Sequence, residues 1–379
     1  MRSMTMSSPP GTPESRHYTV LHIIPTLEGG GAERQLGMLA AEQARRGYKV
    51  HLAIRRTGVH VQALEASGVQ VHVLGNMRSF NPRLLLAIGG VIGQVRPDIV
   101  QTWLPQMDLL GGISVLASSR ARWVVTERTS GGYYRKEIPA IARLRLWLAR
   151  YSSAVVANSN GGERYWREDG NGALKLATIH NALDMNAIQE TVSRGAPGAH
   201  GSPMILAVGR FDREKSFDVI LRAIANLPAS RRVHVMMIGE GSERAKLEQM
   251  VEATSLSDQV KLPGYQSDWW RWLGVADGLV SMGRYEGNPN VALEAMAGGC
   301  PVIVSDTPAH REVADETSAL FVPVDDVKAL SSAIVRLVTE RDDARQRAAR
   351  ALERVGSMSL KAMADAYEVI YREVMNGKG

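Results

Sequence analysis

The chain has 379 residues, 45% of them hydrophobic and 22% charged, proportions that exclude wholesale disorder and a fibrous protein. A single core seldom grows past roughly 250–300 residues, so two domains are expected. The net charge of +6 suits phosphate-bearing ligands or an anionic membrane surface without requiring either, and the one cysteine, Cys300, excludes an intramolecular disulfide and a cysteine-based zinc cluster.

Residues 1–17 are polar, rich in Ser and Pro, and lack the apolar stretch of a signal peptide; they predict a short disordered lead. Residues 18–24 (YTVLHII) are β-branched and apolar and read as a strand, followed by a glycine loop and a helix over 32–46. Strands are predicted at 49–54 and 69–74 with a short helix between, and again at 98–102, 123–126 and 154–157. The run 84–95 reads as a helix. It is the longest apolar stretch, too short to cross a bilayer and interrupted by Gly89, Gly90 and Gly93, so a cytosolic protein that touches a membrane only peripherally is expected. Strands alternating with helices of this length imply βαβ units and a parallel sheet.

Residues 186–202, which contain SRGAPGAHGS, break this rhythm with turn residues and no evident periodicity, and predict an interdomain linker. The pattern then resumes, with strands predicted at 204–208, 233–238, 259–262, 278–281 and 302–305 and charge-rich helix from 327 onward. The expected fold is α/β: two Rossmann-like parallel domains, residues 18–185 and 203–357, facing across a cleft at the C-terminal ends of their strands. No short repeat is present, which excludes a solenoid.

Three stretches carry chemistry. Gly29-Gly30-Gly31-Ala32-Glu33 lies between a strand and a helix. Glycines let backbone approach a ligand, and a helix N-terminus offers free N–H groups and partial positive charge; the loop is either a diphosphate cradle or a tight strand-to-helix turn. VGRFDREKS follows the first strand of the second half, and its Arg210 and Lys215 offer a planar fork and a point charge for phosphate oxygens, or decorate a solvated turn. The third stretch, YEGNPNVALEAMAGGCPV, reads loop, helix, turn, strand. Glu286 lies in the loop and Glu294 in the helix with seven residues between them, carboxylates suited to accepting hydrogen bonds from sugar hydroxyls beside a loop of backbone N–H groups.

With these landmarks in this order, the sequence resembles the retaining glycosyltransferases of family 4, which have the GT-B architecture. Asn158-Ser159 and His180-Asn181-Ala182-Leu183-Asp184 also resemble that family's signatures at the end of the first domain, and the resemblance runs from about Thr19 to Val374. It implies that Arg210 and Lys215 hold the diphosphate of a nucleotide-sugar donor, with backbone amides near Gly30 and Gly31 and near Asn290 and Val291. It implies that Glu294 accepts from the ribose hydroxyls and that Glu286, beside Gly287, contacts the sugar. Tyr265 falls where the base is bound. Glu286, Arg210 and Lys215 are thereby the candidate catalytic residues. The last segment, 358–379, is expected to cross back to the first domain.

Family members often carry a first-domain histidine that reaches the donor sugar. Neither TWLPQMD nor VTERT contains one, which leaves Gln106, Asp108, Glu127 and Arg128 as polar candidates on the acceptor side; His22 and His180 read as structural. No Asp-x-Asp occurs, so no metal or other cofactor is expected, and fixed positive groups are expected to stabilise the leaving diphosphate. The basic, aromatic stretch 133–151 places Ile141, Leu144, Leu148 and Tyr151 on one helical stripe. That stripe either packs on its own sheet or rests on an anionic bilayer beside Tyr133, Arg135, Lys136, Arg143 and Arg150. No nucleic-acid motif accompanies the charge.

The expected activity is transfer of a sugar, from a UDP-sugar, to a glycan or lipid-linked glycan of a surface polysaccharide or lipopolysaccharide. The alternatives are an epimerase or a glycogen-type synthase on the same fold, or a non-catalytic partner of an active enzyme.

Overall fold

The computed structural model describes residues 18–28, 30–58, 61–77, 81–129, 131–170, 175–196 and 203–377. The lead expected over 1–17 and the linker residues 197–202 lie outside them.

Seven parallel strands form the first sheet: β1 (Thr19–Ile24), β2 (Lys49–Ile54), β3 (Gln70–Val73), β4 (Ile99–Trp103), β5 (Arg122–Glu127), β6 (Ala154–Ala157) and β7 (Leu176–Thr178), in the order β3-β2-β1-β4-β5-β6-β7. Six form the second: β8 (Met204–Val208), β9 (His234–Ile238), β10 (Val260–Gly264), β11 (Gly278–Ser281), β12 (Val302–Ser305) and β13 (Leu320–Val322), in the order β10-β9-β8-β11-β12-β13. Helices cover both faces of each sheet, so the central strands are buried throughout, as in β4 and β6. This is why they appear in the sequence as unbroken apolar runs. Two of the four edge strands, β7 and β13, were not predicted; three residues are too few to show a period.

Strand order reverses between β1 and β4 in one domain and between β8 and β11 in the other. At such a switch point adjacent loops leave in opposite directions and open a crevice at the carboxyl ends of the strands. Four loops therefore frame the candidate site. The glycine loop follows β1, Leu104 to Gln106 follow β4, Arg210 to Ser216 follow β8, and the segment carrying Glu286 follows β11. Two of these loops hold a non-glycine residue in the left-handed region, Leu104 (φ 72°) and Ser216 (φ 55°), a conformation that costs energy and concentrates at functional sites.

The reading of 186–202 as aperiodic linker is corrected at its start. Met185–Arg194 is a helix whose N-cap, Asp184, accepts from the Ala187 N–H at 3.0 Å. Met185, Ile188 and Val192, at i, i+3 and i+7, face the apolar cluster of the second domain. At the other end of the chain, Leu360–Asn376 packs on the Gly31–Arg45 helix, and Met363, Tyr367, Tyr371 and Val374 join the core of the first sheet. The outgoing and returning chains touch: the Leu183 N–H donates to the Met358 carbonyl at 2.8 Å.

Candidate functional site

The N-termini of two helices meet between the sheets. Gly30 caps the Gly31–Arg45 helix of the first domain, and Asn290 opens the Asn290–Ala297 helix of the second. A Cβ on Gly31 would stand 2.4 Å from the Asn290 Nδ2, so a side chain here would have to displace the Asn290 amide. Gly287 permits a similar approach in the neighbouring loop, where a Cβ would stand 2.3 Å from the Arg128 carbonyl oxygen and 2.8 Å from the Asn158 Oδ1. Polar contacts tie the junction. Arg128 Nη2 donates to Asn181 Oδ1 at 2.6 Å, Asn181 Nδ2 donates to Asn290 Oδ1, and Asn288 Nδ2 donates to the Asn158 carbonyl at 3.2 Å. Two helix N-termini make the junction electropositive.

Both glutamates of the third motif face this junction, and each already has partners. Glu286 Oε1 lies 2.6 Å from Lys215 Nζ. Glu294 is buried; its Oε1 accepts from Arg34 Nη2 at 2.7 Å, and its Oε2 accepts from Arg34 Nη1 at 3.3 Å and from Trp270 Nε1 at 2.8 Å. Behind Glu286 stands His310, fully buried, its Nδ1 shared by the Ser305 and Thr307 hydroxyls and its Nε2 without a hydrogen-bond partner. Burial lowers the pKa of His310 to about 4, against the attraction of the nearby Glu286 carboxylate.

The structure brings Lys215, Glu286, Gly287, Asn290, Val291, Glu294, Gly31 and Arg128 to one junction and treats other candidates differently. Arg210 is 75% exposed and pairs with Asp212 at 3.1 Å. Tyr265 is exposed at the end of β10. The Gly30 N–H is taken by Glu33 Oε2 at 2.9 Å, which removes it from the amides available to an anion. Gln106 is partly buried in the first turn of the Pro105–Ser118 helix.

Glu127 and Asp108 are corrections. Both are fully buried around Arg145, whose Nη1 donates to Glu127 Oε2 at 2.5 Å and whose Nε donates to Asp108 Oδ2 at 2.6 Å. Glu127 also accepts from the Trp166 indole and from the Arg128 and Thr129 N–H groups. It shapes the turn that presents Arg128, and its burial among these partners leaves it no exposed surface.

His22 is buried and hydrogen-bonded to Gln43 and Trp103, with a pKa lowered by burial to about 4. His180, partly exposed, lies 3.5 Å from Glu312.

The stripe over 141–151 divides as well. Leu148 and Arg145 are buried and Ile141 is partly buried, whereas Leu144, Trp147 and Tyr151 are 50–60% exposed next to exposed Arg143 and Arg150. Arg135 is held by Asp169 and Glu168, and Lys136 Nζ reaches the Tyr285 hydroxyl at 3.5 Å. The Tyr133 side chain lies outside the described residues. Among the described residues no helix is long and apolar enough to cross a membrane.

Sequence reasoning passed over Arg34, Asn181, Trp270 and His310. Asn181 stands inside a motif quoted above and Arg34 directly follows the glycine loop that ends at Glu33, so their places were visible but their partners were not. Trp270 lies in QSDWWRW, a segment with three tryptophans and no binding motif, and His310 carried no local signal.

Two doubly wound domains that present their switch points to each other define the GT-B glycosyltransferase architecture. Sequence comparison agrees along most of the chain. The family described as Glycosyltransferase Family 4 matches residues 29–187, and that described as Glycosyl transferases group 1 matches residues 189–354. A lipopolysaccharide core biosynthesis glycosyltransferase, LpsE of Rhizobium meliloti, is 25% identical over 346 residues, 89% of this chain and 94% of its own. The N-acetylgalactosamine-N,N'-diacetylbacillosaminyl-diphospho-undecaprenol 4-alpha-N-acetylgalactosaminyltransferase of Campylobacter jejuni is 22% identical over 79% of this chain and 84% of its own. The crystal structure of Anabaena Alr3699/HepE in complex with UDP-glucose superposes with a TM-score of 0.83 at 18% identity, covering 94% of this chain and 99% of that one. The chain belongs to glycosyltransferase family 4.

Proposed function

We propose that the protein transfers a sugar from a UDP-sugar, with retention of anomeric configuration and without a metal, to a glycan or lipid-linked glycan acceptor in surface polysaccharide or lipopolysaccharide assembly. The observation that carries this reading is the meeting of two helix N-termini at Gly31 and Asn290, with Lys215 paired to Glu286 on the adjoining loop. Fixed partial charges and one ammonium suit a diphosphate leaving group. Among the described residues no three His, Cys, Asp or Glu side chains gather where they could hold a metal ion, and in this reading the positive charge at the diphosphate comes from the protein.

In the proposed reaction the bond from the anomeric carbon to the donor phosphate oxygen breaks, and the acceptor hydroxyl bonds to that carbon on the same face. Its proton passes to the departing phosphate oxygen. Lys215 and the two helix ends stabilise the diphosphate, Arg210 closes on it from its exposed position, and Glu286 orients the sugar. Positioning supplies most of the acceleration. The LpsE and Campylobacter relatives support a surface-glycan role and a lipid-linked acceptor, and the UDP-glucose complex of the Anabaena protein supports the donor. Leu144, Trp147 and Tyr151, flanked by Arg143 and Arg150, support contact with an anionic bilayer that carries such an acceptor.

The test is a screen of UDP-, GDP- and ADP-sugars against a lipid-linked oligosaccharide in excess EDTA, with the linkage of the product read by NMR. An α-linked product from an α-configured UDP-sugar is expected. An inverted product, or activity seen only after Mg²⁺ or Mn²⁺ is restored, overturns the corresponding element of the proposal.

A further inference from the structure

Arg34 stands one turn into the Gly31–Arg45 helix and Glu294 one turn into the Asn290–Ala297 helix, on the faces that meet behind the Gly31–Asn290 contact. The two residues are 260 positions apart and belong to different domains, yet the guanidinium makes a two-pronged contact with the carboxylate. A carboxylate offers about four lone-pair positions. Three of those on Glu294 are filled, two by Arg34 and one by the Trp270 indole. A ribose that presents two hydroxyls needs two, and one is left.

We propose that Arg34 is a donor-binding residue that changes partners. Without nucleotide it occupies Glu294 in place of the ribose and holds the two domains together. When nucleotide binds, the ribose displaces it, and the freed guanidinium turns to the diphosphate at the two helix ends, about one helical turn away. The inference rests on the assignment of Glu294 to the ribose. Its chemistry is that of a planar fork able to bind a carboxylate and a diphosphate by turns. Because Arg34 and Glu294 lie on opposite domains, the exchange also makes domain contact depend on whether the nucleotide carries phosphate.

The experiment measures binding of UDP and of uridine, by calorimetry and ligand-observed NMR, to the wild-type chain and to Arg34→Gln and Arg34→Lys. Arg34→Gln removes both the competitor and the cation, so uridine should bind several-fold more tightly while UDP binds about tenfold or more weakly. Arg34→Lys keeps the charge without the fork and should return UDP affinity to within a few-fold of wild type. Thermal melting of each variant reports that the fold persists, and the opposite signs for the two ligands cannot arise from partial unfolding. Equal weakening of both ligands would mean that Arg34 only orders Glu294, and the inference fails. No change in either, or tighter uridine with unchanged UDP, overturns it as well. Failure of the wild-type chain to bind UDP, GDP or ADP counts instead against the donor assignment itself, and the inference falls with it.

Discussion

Lys215 Nζ and Glu286 Oε1 are 2.6 Å apart, although 71 residues separate them in sequence. Lys215 leaves the loop after β8 and Glu286 the loop after β11, adjacent strands at the switch point of the second sheet. The group proposed for the diphosphate and the group proposed for the sugar are thus in contact, as they would be on either side of a single glycosidic bond.

Lys215→Ala should lower turnover about 100-fold or more, since it removes a charge-assisted donor from the leaving group. Glu286→Gln should lower turnover but hold or raise affinity for free UDP, because Lys215 no longer has a carboxylate to satisfy. Steady-state kinetics beside UDP calorimetry separates the two; equal loss of UDP affinity in both variants would refute the division of roles.

Gly287→Ala places a Cβ 2.3 Å from the Arg128 carbonyl oxygen and 2.7 Å from its carbon, both backbone atoms of the other domain. Backbone cannot rotate aside as a side chain can, so the domains must separate. Activity is expected to fall at least tenfold while stability falls by about 1–3 kcal/mol. Small-angle scattering should show a larger radius of gyration than wild type; unchanged dimensions and turnover would show that the contact yields.

Arg145 neutralises Asp108 and Glu127 where none of the three meets solvent. Arg145→Met strands two buried carboxylates and should cost about 3–5 kcal/mol in urea unfolding. Combining it with Asp108→Asn and Glu127→Gln should recover some of that loss. Glu127→Gln alone should destabilise the chain without selectively raising the KM for acceptor, the result that distinguishes a scaffold residue from an acceptor contact.

Burial holds His22 and His310 neutral, each with its pKa lowered from 6.5 to about 4. The unfolded chain takes up these protons below about pH 6.5 and the folded chain only near pH 4. Unfolding therefore binds protons in that window, and stability is lost as pH falls through it. Each histidine contributes a slope of up to about 1.4 kcal/mol per pH unit. Urea melts between pH 4 and 7 should give a shallower pH dependence for His22→Gln and for His310→Gln than for wild type. Parallel curves would mean that neither imidazole is neutral in the fold.

Most strands and the three chemical motifs were determined by the sequence alone, because their signals are local. An apolar β-branched run such as residues 18–24 is buried in any parallel sheet, and glycine followed by helix formers makes the same turn wherever it lies. The Met185–Arg194 helix was not read from the sequence, because its apolar spacing at Met185, Ile188 and Val192 spans only two turns and is followed at once by turn residues. Tertiary structure decided which charges meet. Glu127 and Glu294 are both acids named as candidates from the sequence. One became a buried anchor because β5 carries it under Arg145, and the other an interdomain partner because two helix ends converge at Gly31 and Asn290. Arg34 directly follows the glycine loop and carried no assigned role, since its partner is 260 positions away. A side chain's electrostatic role depends on distances of a few ångströms and on the water excluded around it. Those are set by which loops the two sheets bring together, and no local pattern encodes them.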